Sequence, residues 1–163
     1  MPTLLIVFHS RTGGTAQMAE AARAAAAGEA EVRVRLLQAA EAVPEDLLGA
    51  DGYIFAAPEN LAALSGPMKD LFDRCYYPVL DQIEGRPYAL MVCAGTDGTG
   101  AVRQMQRNAT GWRLRAVAEP LIVLTAAQTP EAILAPKQLG EAQLAPCREL
   151  GAAMAAGLVL GIF

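Results

Sequence analysis

Thr3 to Phe8 (TLLIVF) is an unbroken apolar run, the pattern of a strand covered on both faces. Gly13 to Ala27 follows with helical character and closes on Gly28, a C-cap residue. Glu31 to Leu36 (EVRVRL) alternates and is rich in Val, which predicts a half-exposed strand near a sheet edge. Leu47 to Ala50 predicts a short helical turn, and Gly52 to Ala57 (GYIFAA) a buried strand broken by Pro58. Ser65-Gly66-Pro67 has the order of an N-cap and a first-turn proline, so a helix is predicted from there to about Tyr77, ahead of Pro78. Pro87 to Cys93 (PYALMVC) predicts a fourth strand, Ala101 to Asn108 a helix, and Leu121 to Leu124 (LIVL) a fifth strand. Lys137 to about Gly157 predicts a closing helix that Pro146 kinks or divides.

Strands that alternate with helices imply a parallel sheet with right-handed crossovers. Five of them give an α/β fold: a doubly wound parallel sheet, order 2-1-3-4-5, helices on both faces, one domain over residues 1–163. Such sheets take ligands at the carboxyl ends of their strands, beside the point where the strand order reverses.

Composition narrows the class. The chain has 163 residues, 53% hydrophobic, and a net charge of −4. With a mean hydropathy of +0.27 it is not a disordered chain. No apolar run reaches the roughly 18 residues of a membrane span, and the start lacks the pattern of a secretory leader. The expectation is a cytoplasmic protein without a membrane span. A pI near 5.0 argues against nucleic acid as a partner. Cys75, Cys93 and Cys147 have no metal-ligand spacing, and His9 is the sole histidine, so reduced thiols and no metal are expected. Arg far outnumbers Lys, which occurs only at 69 and 137, and Ala is abundant; both read as compositional bias.

Three loops fall at the carboxyl edge. Ser10-Arg11-Thr12-Gly13-Gly14-Thr15 follows the first strand directly. Its three hydroxyls, two glycines and the helix start behind them suit a phosphate monoester. It is neither a nucleoside-triphosphate loop nor a dinucleotide fingerprint, since both spacings are absent. A polar connection with a hydroxyl N-cap is the alternative. The second loop is Pro58-Glu59-Asn60-Leu61, and the third is Ala94-Gly95-Thr96-Asp97-Gly98.

Ser10 to Thr15 resembles the S/T-x-T-G-x-T phosphate loop of the flavodoxin-like superfamily. Ala57-Pro58-Glu59-Asn60-Leu61, Ser65-Gly66-Pro67-Met68-Lys69 and Asp73-Arg74 are similar to the pattern of its NAD(P)H-dependent FMN oxidoreductase and quinone reductase branch. The resemblance implies a flavodoxin-like fold with FMN as cofactor and NAD(P)H as co-substrate. It also implies a quinone, flavin or similar small molecule as electron acceptor, with the chemistry carried by the flavin. It places the FMN phosphate on residues 10–15, the ring along Pro58 to Leu61, and its pyrimidine edge on Ala94 to Gly98.

No Trp or Tyr occurs in residues 58–65 or 94–100, so an open ring face is expected, which favours a reductase over a one-electron carrier. A carrier without an NAD(P)H site, and a relative that has lost flavin, stay as alternatives. Glu59 is expected to point to solvent, because a fixed negative charge at the ring disfavours an anionic reduced flavin. His9, Arg11 and the Arg103/Arg107 face read as packed or solvated side chains, and Cys93 as a buried thiol. The uncharged tail Leu158 to Phe163 either packs back on the sheet or buries against a second subunit, so a homo-oligomer is a candidate assembly.

Overall fold

The computed structural model describes residues 1–163. Strands β1 (Thr3–Phe8), β2 (Arg33–Gln38), β3 (Gly52–Asn60) and β5 (Pro87–Ala94) form a parallel sheet in the order β2-β1-β3-β5. The far edge is shared by two short strands parallel to β5. β6 (Arg115–Ala116) pairs with its start, and β7 (Leu121–Leu124) with its end. The expected order is therefore present, with its fifth strand split. One further strand, β4 (Ala63–Leu64), folds back antiparallel on the end of β3.

The period of two along β1 sorts the core into two layers. Leu5 and Val7 join one cluster with α3 (Gly66–Val79) and α4 (Thr99–Gly111); Leu4 and Ile6 join another with α1 (Gly14–Ala26) and α6 (Glu141–Leu160). Short helices α2 (Pro44–Leu48) and α5 (Pro130–Leu134) complete the chain. The alanines of α1 do more than favour helix. Its face Ala19, Ala22 and Ala26 is fully buried, and α6 approaches so closely at Gly151 that a Cβ there would overlap the main chain of Ala22. The aromatics concentrate in the first layer: Tyr53, Phe55, Phe72, Tyr88 and Trp112 form one ring cluster.

Several boundaries differ from the pattern. β3 continues through Pro58 to Asn60. By then β1 has ended, its last residue Phe8 standing opposite Ala56, so that side of β3 is an edge, where a missing N–H costs little. α3 likewise carries Pro78 in its last turn and ends at Val79. The closing helix starts at Glu141 rather than Lys137, because residues 130–134 form α5 instead. The tail packs partly back: Phe163 rests on Gly157 and the second core layer, while Leu160 and Ile162 stay exposed.

Candidate functional site

β1 ends at Phe8 and the chain turns through residues 9–13 into α1. Gly13 takes φ +99°, a left-handed value that favours glycine, and opens the helix without a side-chain cap. The first turn holds no acidic residue. The hydroxyl-capped alternative therefore does not occur, and the free amides of the α1 start, with the positive end of its dipole, face outward. Ser10 Oγ accepts from the Gly13 amide at 3.2 Å. Thr15 is only 2% exposed, yet its side chain reaches the cleft. Gly14 lets the helix sit against the end of β5: a Cβ there would come 2.6 Å from Cys93 Sγ.

A cleft of about 190 Å³ opens above this turn. Ser10, Arg11, Thr12, Gly14 and Thr15 form its floor; Pro58, Glu59 and Asn60 form one wall. Cys93, Ala94 and Gly95 at the end of β5 form the back. Ten of the fifteen residues singled out in the sequence thus line one cavity. Gly13 shapes the turn beneath it. Leu61 projects into solvent at the rim, Thr96 and Asp97 are exposed, and Gly98 is buried behind the wall. Asp97 accepts from the Thr99 hydroxyl and amide, which lowers its carboxyl pKa.

Glu59 corrects the expectation of a solvent-facing carboxylate. It accepts the amides of Gly98 and Gly100 at 3.0 Å and of Ala101 at 3.2 Å, and so caps the N-terminus of α4. Leu64 donates its amide to Gln104 Oε1 at 2.6 Å, and a Cβ on Gly100 would overlap the Ala62 carbonyl oxygen. The β3–β4 hairpin and α4 are thus locked together. At the hairpin tip Leu61 (φ +49°) and Ala62 (φ +61°) both adopt left-handed conformations, which other residues than Gly and Asn rarely do.

The remaining wall was not foreseen. Thr125, Ala127, Ile133, Leu134 and Lys137 come from the segment between β7 and α6. It carried a signal for α5: Thr129 caps that helix by accepting the Ala132 amide, with Pro130 in the first turn. Cys93 is buried, which pushes its thiol pKa up, with Lys137 acting in the opposite sense. It is a protonated wall residue rather than a thiolate. His9 donates or accepts at 2.9 Å to the fully buried Ser65 hydroxyl, and burial followed by Arg11 holds its pKa below the ordinary imidazole value. Asp73 and Arg74 are structural, through Lys69 and Asp70 respectively. Arg74 also donates to the Ala39 and Ala42 carbonyls.

A doubly wound sheet whose first turn presents an uncapped, hydroxyl-rich helix start is the flavodoxin-like arrangement. An archaeal flavodoxin superposes with a TM-score of 0.75, 16% identity, 94% of this chain and 96% of that one. Two-electron reduced flavodoxin from Megasphaera elsdenii gives 0.70, 19%, 94% and 98%. At those identities the likeness speaks for the fold. A flavodoxin of Aquifex aeolicus is 33% identical over 100 residues, 61% of this chain and 54% of its own length, so the match spans about half of that relative. Residues 37–129 match the NADPH-dependent FMN reductase family, and the chain belongs to it. The matched residues include the Pro58 and Gly95 walls; the turn at residues 10–15 and Lys137 lie outside them.

Proposed function

We propose that the cleft binds FMN and that the protein is an FMN-dependent oxidoreductase passing hydride from NAD(P)H to a quinone, flavin or similar small acceptor. The single observation behind this is the convergence of the uncapped α1 start with the Pro58–Asn60 and Cys93–Gly95 walls on one cavity. The residues fit the group. Amides without an intramolecular acceptor, the hydroxyls of Ser10, Thr12 and Thr15, and no nearby carboxylate in the first turn suit a phosphate monoester.

When bound, FMN supplies the redox chemistry, accepting hydride at its N5 and releasing it to the acceptor. The chain's own part is to bind and orient. The α1 start anchors the phosphate, and Pro58 to Asn60 present main chain along one side. Ala94 and Gly95 offer backbone groups at the other. Glu59 is committed to α4, its carboxylate accepting three backbone amides rather than turning free into the cleft. Without an aromatic in either wall, one ring face stays free for a nicotinamide or an acceptor.

The name of the Aquifex aeolicus relative supports a second reading, an electron carrier without an NAD(P)H site. Anaerobic titration separates the two. Quenching of FMN fluorescence, followed by bleaching of the flavin band on adding NADH or NADPH, is the expected result. Quenching without bleaching is the carrier's result, and no quenching removes both.

A further inference from the structure

Lys137 is joined to the phosphate-type turn more firmly than a loop lysine needs to be. Its amide donates to the Thr12 carbonyl at 2.8 Å, and its carbonyl accepts from Gln17 Nε2 at 2.8 Å. Gln17 sits in the first turn of α1, where its Nε2 also donates to the Gly13 carbonyl, and its Oε1 accepts the Leu139 amide at 3.0 Å. The main chain on both sides of Lys137 is therefore pinned to the turn itself. The ammonium lies 3.3 Å from Thr12 Oγ1 and donates to the Ile133 and Ala135 carbonyls at 2.9 and 2.7 Å. It takes part in none of the chain's six ion pairs. Its charge has only neutral acceptors, and it lines the cleft.

We propose that Lys137 is the cation of this cradle and makes it select a phosphate monoester dianion over the unphosphorylated flavin. The inference rests on reading the cleft as an FMN site. The Thr12 hydroxyl accepts from the ammonium, so its own proton stays free to donate to an anion. An anion held by that hydroxyl is within one hydrogen bond of Lys137. The β7–α6 segment then serves as a strap that brings charge to a turn whose own residues supply only dipoles and the exposed Arg11.

Two measurements test this. The first is the affinity of the full chain and of Lys137→Gln for FMN and riboflavin, by flavin fluorescence quenching. FMN should bind the variant on the order of ten- to a hundredfold more weakly, as for loss of a positive charge one hydrogen bond away from a dianion. Riboflavin binding should not change, and Lys137→Arg should restore most of the difference. Unchanged FMN binding, or equal losses for both ligands, overturns the proposal. The second uses the unmodified protein and acetic anhydride, with acetylation read by mass spectrometry. FMN and inorganic phosphate should slow acetylation of Lys137 but not of Lys69, the other lysine, and riboflavin should not. If FMN is not quenched by the protein but phosphate still protects Lys137, the FMN reading falls and the cation stands. If FMN binds and Lys137 is unprotected, the cation falls and the FMN reading stands. If FMN is not quenched and neither ligand protects Lys137, both readings fall.

Discussion

The Glu59 carboxylate accepts the Gly98 amide at 3.0 Å and thereby ties the end of β3 to the start of α4. Two more amides share the same carboxylate. Glu59→Gln keeps the length but removes the charge and one acceptor. The variant should lose about 1.5–3 kcal/mol of stability in urea unfolding, the range for a bond to a charged group. A loss below about 0.5 kcal/mol would mean that the cap does not hold the two loops together.

Thr12 in the turn and Thr15 in the first turn of α1 line the same cavity. Thr12→Ala with Thr15→Ala should weaken FMN by about 1.5–3 kcal/mol per hydroxyl, and riboflavin far less. Fluorescence titration of both ligands reads the difference. Full retention of FMN affinity would move the phosphate elsewhere.

Gly14 and Cys93 compete for one volume. Gly14→Ala places a methyl 2.6 Å from Cys93 Sγ, so it should destabilise the fold by about 1–3 kcal/mol, as overpacked cores do. Cys93→Ala removes the sulfur. Adding it to Gly14→Ala should recover part of that loss, a coupling that a double-mutant cycle in urea measures. Strictly additive losses would show that the close approach is relieved some other way.

His9 makes stability depend on pH. Its folded pKa is lowered, first by burial and then by Arg11, so the unfolded chain takes up a proton more readily. The stabilisation is complete above the unfolded imidazole value of about 6.5 and is lost as pH falls from there through the folded value. The thermal midpoint should drop between about pH 7 and pH 5, and His9→Gln should flatten that slope relative to the parent chain. Parallel profiles for the two proteins would assign the loss to other groups.

The strands that face helices on both sides were legible because the apolar runs Thr3–Phe8 and Pro87–Cys93 are of strand length and too short for a buried helix. β2 is displaced by two residues because the alternation of Glu31–Leu36 breaks at the Leu36-Leu37 pair, while the strand itself runs from Arg33 to Gln38. Pro58 was read as a terminator, but a neighbouring strand's end decides whether a proline is tolerated, and local sequence does not contain that. The phosphate-type turn was readable from its hydroxyls and glycines. The role of Glu59 was not, since its three amide donors lie about 40 residues away and converge only through the sheet. Lys137 was absorbed into a helix that begins at Glu141. Pro136 and Gly140 could have marked the earlier stop, but nothing in the spacing joins residue 137 to residue 12.

The Leu61–Ala62 tip has a mechanical consequence. Left-handed backbone at two ordinary L-residues costs roughly 1–2 kcal/mol each, so the tip is a wound spring and does not hold its shape unaided. Its catches are on another element: Glu59 clasps α4 on one arm, and the Leu64 amide hooks Gln104 on the other. The wall beside the cleft is thus kept in tension by a helix that itself lines none of the cavity, and slackening α4 would be felt first where a flavin ring is proposed to rest.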